Sequence, residues 1–101
     1  MQNFTMDESV PTEEFYILRL FVSGTSSNSV KAINNLRNIC EMHLKGRYEL
    51  EIIDIHQQPQ LVKSEDVAAV PLLLKKSPLP VRRLIGDMSE REKVLKGLGL
   101  T

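Results

Sequence analysis

The chain has 101 residues, of which 42% are hydrophobic and 26% charged, a composition typical of one globular domain with a modest core. Its 13 basic and 13 acidic residues cancel, so no global positive field draws it to nucleic acid or to a membrane surface. The single cysteine, Cys40, excludes an internal disulfide, a Cys-x-x-Cys redox motif and a cysteine-based zinc site.

The N-terminal residues differ in charge from the rest of the chain. Residues 1–14 hold four acidic residues and no Lys or Arg, which leaves 13 basic and 9 acidic residues in the remainder. The start resembles no signal peptide, and no apolar run approaches the roughly 18 residues of a membrane span. We expect a disordered acidic tail over residues 1–13, one domain over residues 14–101 and a cytoplasmic location, which suits a chain without a disulfide.

A strand and a long helix open the predicted domain. The segment EFYILRLFVSG is rich in aromatic and β-branched residues and predicts a central strand. The next segment, TSSNSVKAINNLRNICEMHLKG, predicts a helix that Thr25, Ser26 or Ser27 caps and that ends before Gly46. Its apolar residues recur at helical spacing and predict one buried face. That face consists of Val30, Ile33, Leu36, Cys40 and Leu44.

A second strand and several shorter elements follow. RYELEIIDIH predicts a strand, and the strand–helix–strand order predicts parallel pairing in a right-handed βαβ unit. Pro59 suits the first turn of a short helix. The apolar run after Val70-Pro71 and the segment VRRLIGD predict two more strands. This order matches a thioredoxin-like α/β arrangement, in which a cis-proline precedes the third strand, and Pro71 is the candidate.

The C-terminal segment SEREKVLKGL carries conflicting signals. Ser89 and Glu92 have the spacing of a capping box and favour a helix. Gly97 and Gly99 weaken that helix by about 1 kcal/mol each if they lie in its interior. On helix propensity alone, Gly97→Ala is expected to favour the helical state.

The turn FVSGTSSNSV lies where thioredoxin-like enzymes carry redox cysteines. It has no thiolate, and serine does not replace one in disulfide exchange. One glycine and no lysine also depart from a phosphate-binding loop, which leaves a helix cap as the interpretation. Cys40 and His43 supply only two of the four ligands of a zinc site, and His56 is distant in sequence. We expect a buried Cys40, both histidines at surface or rim positions, and no metal, cofactor or catalytic residue.

One basic cluster stands out, formed by Arg82 and Arg83 with Lys75 and Lys76 close in sequence. It is interpreted either as a solvated face or as a contact patch for an acidic protein surface. With only two Tyr and three Phe, no aromatic array accompanies these charges, which argues against nucleic acid.

Five motifs follow one another without gaps from about Tyr16 to Leu98: FVSGTSSNSV, IIDI, PQL, the VP before the third strand and PVRRLIGDMSEREKVLKGL. They give the chain a resemblance to the KaiB family of the bacterial circadian clock. The resemblance implies a non-enzymatic protein that binds the clock ATPase KaiC and, in full clocks, captures KaiA. It also implies a metamorphic fold: a βαββααβ tetramer and a thioredoxin-like βαβαββα monomer, which is the binding form. The sensor domain of a clock-output histidine kinase is a stable thioredoxin-like relative.

The resemblance also assigns residues. Lys31, Lys75, Arg82 and Arg83 match basic positions linked to partner contact. The switching half contains Pro71, Ser89, Glu92, Gly97 and Gly99. Gly99 departs from the acidic residue common in the family, and the Tyr-containing acidic tail of family members is absent after Thr101.

The resemblance implies a tetramer or dimer in the ground state and a role in circadian timing or in a clock-derived stress response. The alternative is a thioredoxin-like sensory or redox-related module without Cys-x-x-Cys.

Overall fold

A computed structural model describes residues 14–101, and the predicted tail over residues 1–13 lies outside them. The elements follow one another in the βαβαββα order predicted for the thioredoxin-like form. They are β1 (Tyr16–Val22), α1 (Ser27–His43), β2 (Tyr48–Asp54), α2 (Pro59–Ser64), β3 (Leu72–Ser77), β4 (Arg82–Ile85) and α3 (Arg91–Leu98). No helix among these residues is long and apolar enough to span a membrane.

The four strands form one sheet in the order β2-β1-β3-β4. β1 pairs in parallel with β2, which confirms the βαβ unit, and β3 is antiparallel to both β1 and β4. β1 therefore lies in the interior of the sheet, as its apolar sequence predicted. β2 and β4 are the two edge strands.

Each face of the sheet carries its own apolar cluster. On the α1 face, β1 side chains such as Leu18 and Leu20 pack with Leu36 of α1 and Leu98 of α3. On the α2 face, a smaller cluster consists of Phe21, Ile53, Leu72 and Leu74, with Leu61 of α2 packed against it. Alternate residues of a strand point to opposite faces, so β1, β2 and β3 contribute to both clusters.

The buried face of α1 differs from the predicted one. Val30 is 43% exposed and Ile33 is only partly buried, whereas Leu36, Cys40 and Leu44 are buried as predicted. Ser29, Ala32 and Ile39 complete the buried face. The pattern of apolar residues missed Ser29 because a polar side chain enters this face only when its hydroxyl finds partners inside the fold.

The start of α3 also differs from the prediction. The helix begins at Arg91, and its N-cap residue, Glu90, makes no side-chain capping bond. The amide of Ser89 instead donates to Asp87 Oδ1 at 3.0 Å. The predicted capping box between Ser89 and Glu92 is therefore wrong in this fold, because a carboxylate two residues away holds Ser89 in a turn outside the helix.

The end of α3 depends on Gly99, which has φ +80° and terminates the helix. The amide of Gly99 donates to Lys96 O at 3.0 Å and that of Leu100 to Leu95 O at 2.8 Å. The sequence suggested that Gly99 weakens the helix from within, but Gly99 lies at the helix end. Glycine adopts this left-handed conformation without the steric penalty of a side chain, so it stabilises the helix end.

The Val70-Pro71 peptide bond is cis, as predicted for the proline before the third strand. The carbonyl of Pro71 accepts a hydrogen bond from the amide of Gly86 at 3.0 Å. This bond joins the start of β3 to the residue that follows β4, at the end of the sheet where β1 leads into α1.

Candidate functional site

The turn between β1 and α1 consists of hydroxyl groups that bond to one another. Ser26 caps α1, since its Oγ accepts from the Ser29 amide at 3.2 Å, and it donates to Ser29 Oγ at 2.8 Å. Ser29 Oγ in turn accepts from the amide of Ser23 at 3.0 Å. The predicted cap is confirmed, and these groups serve the local fold instead of facing a ligand.

A serine–histidine pair lies at the ends of the two parallel strands. Ser23 Oγ is 3.1 Å from His56 Nε2, a distance that suits a nucleophile and its base. Asp54 Oδ1, however, accepts from the backbone amide of His56 at 2.9 Å, so this carboxylate does not orient the imidazole ring. The pair was missed in the sequence, although both residues follow adjacent predicted strands. Within residues 14–101, no third group orients the His56 ring as a catalytic triad requires.

The remaining candidates for chemistry lie apart from one another. Cys40 is buried, as predicted, and burial raises the pKa of its thiol to about 12, which keeps it neutral and unreactive. His43 is partly buried, with its Nε2 3.3 Å from Arg91 Nη2, while His56 is exposed. Within residues 14–101, no three metal-binding side chains cluster.

The four basic residues predicted to contact a partner do not form one patch. Lys31 is exposed on α1. Hydrogen bonds from Ser89 lower the pKa of Asp87, in the turn after β4, and the charge of Lys31 lowers it further. Lys75 is only 4% exposed, on the α1 face of β3, and burial lowers the pKa of its ammonium group. Lys75 therefore does not belong to a solvated basic face, contrary to one interpretation of the sequence.

Arg82 and Arg83 are both exposed on β4, but they differ in their contacts. Arg83 donates to the backbone carbonyls of Glu65 and Asp66, in the turn that follows α2. The side chain of Arg82 has no hydrogen bond or ion pair within the part of the chain that the structure describes. Of the two, Arg82 is the one available to a partner.

Glu65 is the centre of an ion-pair cluster on the α2 face. Its Oε2 lies 2.7 Å from Arg19 Nη1 and 2.9 Å from Lys76 Nζ, and Arg19 Nε is also 3.3 Å from Glu51 Oε1. The hydrogen bond from Lys76 lowers the pKa of Glu65, and the charges of Arg19 and Arg83 act in the same direction. The sequence did not predict this ion pair of Arg19. The pattern within one strand could not show a carboxylate 46 positions away.

Two depressions flank β4. A pocket of about 270 Å³ lies between the turn after β4 and α3, where Leu84, Met88 and Val94 are among the lining residues. A groove of about 400 Å³ runs beside the strand, lined in part by Ala68, Leu72 and Ile85. Exposed apolar side chains continue this surface, since Val81 is 51% and Ile85 61% exposed. An open strand edge beside such a surface can pair with an extended segment of another chain.

Among the predicted switching residues, Glu92 is exposed in the first turn of α3, whereas Gly97 lies in its interior. A Cβ atom at Gly97 would be 2.5 Å from Leu84 Cδ1 and 3.1 Å from Leu84 Cγ. Glycine therefore allows α3 to approach β4 closely. The sequence indicated a weak helix at this position but not the contact with Leu84.

A sequence model of the KaiB domain matches residues 19–100. The circadian clock oscillator protein KaiB of Synechococcus elongatus is 52% identical over 85 residues, which cover 84% of this chain and 83% of that protein. The chain belongs to the KaiB family. The corresponding protein of Prochlorococcus marinus is 53% identical over 85 residues, covering 84% of this chain and 81% of the relative. KaiB proteins are non-enzymatic regulators, so family membership assigns the chain to this class and not to the redox enzymes.

Solved structures show the same fold at low sequence identity. The N-terminal domain of Synechococcus elongatus SasA has a TM-score of 0.69 at 22% identity and covers 100% of this chain and 95% of its own. Mitochondrial thioredoxin 3 of Saccharomyces cerevisiae has a TM-score of 0.66 at 15% identity, with 82% and 78% covered. This KaiB-family chain therefore has a thioredoxin-like fold, as predicted.

Proposed function

We propose that this KaiB-family chain binds a KaiC-type ATPase in its thioredoxin-like form, and that refolding of the C-terminal half controls how much of this form is present. The supporting observation is the arrangement of β3, β4 and α3 in the thioredoxin-like order. The family resemblance associates that arrangement with the binding form. In this proposal the chain acts in the cytoplasm, in circadian timing or a clock-derived stress response, with KaiA as a second possible partner.

The C-terminal half has the physical features of a segment with two packings. β4 has four residues and lies at the sheet edge, and α3 has eight residues, of which Val94, Leu95 and Leu98 are buried. Such short elements contribute little stability individually, so a second packing can lie within a few kcal/mol of this one. If a tetramer or dimer of the other form predominates, the apparent affinity falls in proportion to the population of the binding form.

The direct test mixes the purified chain with a KaiC-type ATPase from the same organism and follows complex formation by size-exclusion chromatography. The complex is expected to form slowly, because refolding precedes binding. Incubations with ATP and with ADP cover both nucleotide states. The absence of a complex in both states after prolonged incubation would contradict the proposal.

Arg82→Glu is expected to weaken this complex at least about tenfold, which corresponds to roughly 1.4 kcal/mol. Arg82 is exposed and makes no side-chain bond within residues 14–101, so its reversal leaves the fold intact. Isothermal titration calorimetry measures the affinity. Lys45→Glu, a charge reversal at another exposed residue in the turn after α1, is the matched control. Equal affinities of the two variants would remove Arg82 from the contact surface.

Gly97→Ala is expected to raise the population of the thioredoxin-like form and to speed binding. The gain in helix propensity is about 1 kcal/mol, and Leu84 has to move to admit the methyl group. The nearest atoms are the methyl end of a half-buried side chain that can rotate, so the gain is only partly offset.

NMR populations and binding rates measure this effect of Gly97→Ala, and a double-mutant cycle with Leu84→Ala separates its two contributions. The same substitution in the Leu84→Ala background should give a larger gain, since the obstructing methyl groups are absent. An equal or smaller gain there would refute the steric account. Unchanged populations and rates in both backgrounds would refute the propensity argument as well.

A thioredoxin-like sensory module without switching is the second candidate. The supporting observation is Gly99, whose left-handed backbone conformation terminates α3 and so stabilises the thioredoxin-like form. The mass in solution and one backbone NMR spectrum distinguish the two. A tetramer or dimer with a minor monomer population supports switching, whereas a thioredoxin-like monomer alone supports the sensory module.

A further inference from the structure

The open edge of β4 is positively charged at its start and lies beside a groove. Arg82 and Arg83 occupy its first two positions, and Ile85, 61% exposed, occupies its last. The groove of about 400 Å³ lies beside the strand and includes Ala68 and Leu72. An occupant that suits this edge is an extended segment with acidic residues opposite the arginines and apolar residues near Ile85.

A second copy of the chain is a poor occupant. If two β4 edges paired across a two-fold axis in full register, the strands would be antiparallel, so Arg82 would lie opposite Ile85 of the other copy and Arg83 opposite Leu84. Neither arginine would meet an acidic residue, although pairs of opposite charge are the ones that stabilise neighbouring strands. The edge therefore favours an acidic segment from elsewhere.

The described chain begins at the end of the sheet where β4 also begins. Leu18 of β1 pairs with Lys75 of β3, and Lys75 pairs with Arg82 of β4. Glu14 precedes β1 by two residues and lies close enough to Lys75 to affect its pKa, which burial and Arg82 lower and Glu14 raises. The chain that precedes Glu14 thus leaves the domain two strands away from Arg82, roughly 10 Å at the usual strand spacing.

We propose that residues 1–13 pair with β4 as an added antiparallel strand and cover Arg82 in the same molecule. These residues enter only through their sequence, MQNFTMDESVPTE, which has three acidic residues and no Lys or Arg. Thirteen extended residues span roughly 40 Å. An added strand outside β4 lies three strand spacings from β1, roughly 14 Å, and following β4 takes roughly 13 Å, so the segment is long enough.

The order of residues in the segment agrees with this path. Pro11 has no amide hydrogen and cannot join the ladder, so it belongs to the crossing between β1 and β4. The residues before it, including Asp7 and Glu8, then run along β4 within reach of its arginines. Phe4 and Met6 come beside or beyond Ile85, where the groove offers an apolar surface.

Such a segment would compete with any partner that uses the β4 edge. A tethered segment acts at an effective concentration in the millimolar range, so it can occupy the edge with weak intrinsic affinity. The pairing itself does not depend on the proposed function. If the ATPase contacts Arg82, neutralising the acidic residues should also strengthen that complex.

Paramagnetic relaxation in the full-length chain tests the pairing. A nitroxide is attached at Ser9→Cys, which reacts selectively because Cys40 is buried and its pKa is raised to about 12. The expected result is strong broadening of the amide signals of residues 82–85, with little change in β2 at the opposite edge of the sheet. The double substitution Asp7→Asn and Glu8→Gln should abolish it, and about 1 M salt should reduce it.

The controls separate this occupant from the others. Glu49→Gln, which neutralises an exposed acidic residue on β2, should leave the broadening unchanged. Spin-labelled chains without ¹⁵N are also mixed with unlabelled ¹⁵N chains. Broadening of residues 82–85 in that mixture would assign the edge to a second copy and overturn the proposal. So would the absence of broadening at β4 in the labelled chain, or equal broadening at β2.

Discussion

Replacing Glu65 with glutamine is expected to lower the free energy of unfolding by about 2 kcal/mol, near the cost of removing one partner from a hydrogen-bonded charge pair. The Glu65 carboxylate accepts from Arg19 at 2.7 Å and from Lys76 at 2.9 Å, and its side chain is 19% exposed. Glutamine has a similar shape but no charge. It would leave Lys76 without its anion and Arg19 with Glu51 alone, between β1, β3 and the turn after α2.

The pH dependence of the Glu65→Gln effect has a definite sign. The folded state lowers the pKa of Glu65 below its ordinary value of 4.5, so the carboxylate contributes stability above that value. This contribution is lost as the pH falls through the folded pKa. The stability difference between the parent chain and Glu65→Gln is therefore largest near neutral pH and vanishes in acid.

Urea denaturation near neutral pH and in acid measures this difference. Glu90→Gln is the matched control, because Glu90 is 77% exposed and lies 3.7 Å from Lys93. Exposed pairs of this kind contribute about 0.3 kcal/mol. Equal effects of the two substitutions, or a Glu65→Gln effect that persists in acid, would show that the cluster does not stabilise the fold.

Leu98→Ala is expected to cost about 3 kcal/mol and to reduce the thioredoxin-like form selectively. Leu98 is fully buried, and it is the last of three α3 residues that attach the helix to the core. Its carbonyl also accepts a hydrogen bond from Tyr16 Oη at 3.0 Å, which joins α3 to β1. The cavity left by the substitution weakens the packing that holds the C-terminal half in this arrangement.

Two measurements check the Leu98→Ala prediction: the free energy of unfolding and complex formation with the KaiC-type ATPase. Both should decrease, and the complex should be the more affected if the thioredoxin-like form is the binding form. Leu79→Ala is the control, because Leu79 is 79% exposed and its truncation leaves no cavity. Normal binding by a chain with a strongly destabilised α3 would contradict the link between this fold and partner binding.

The sequence predicted the architecture well because its signals are local. The apolar β1 segment, the capped α1 and the proline before β3 each form the structure that their own residues favour. The sequence-based prediction was wrong where a residue has two or more alternative local interactions. Ser89 does not cap α3, since Asp87 holds its amide, and Gly99 ends the helix instead of interrupting it.

The candidate surface was less accessible to sequence reasoning. Lys75, Arg82 and Arg83 look alike along the chain, yet one is buried, one is exposed without a bond in the described structure, and one is bound to the backbone of residues 65 and 66. Strand alternation places neighbours on opposite faces, and the opposing elements then determine their environments. Those elements are remote in sequence.

The sequence alone determined the element order, the absence of a redox cysteine pair and, through its long C-terminal motif, the resemblance to the KaiB family. These properties depend on contiguous residues and on composition. Only the tertiary structure decided that Glu65 joins Arg19, Lys76 and the β4 strand, that Gly97 lies against Leu84, and that β4 presents an open edge. Such contacts arise when strands distant in sequence pair, and the free energy of that pairing is not encoded in any one segment.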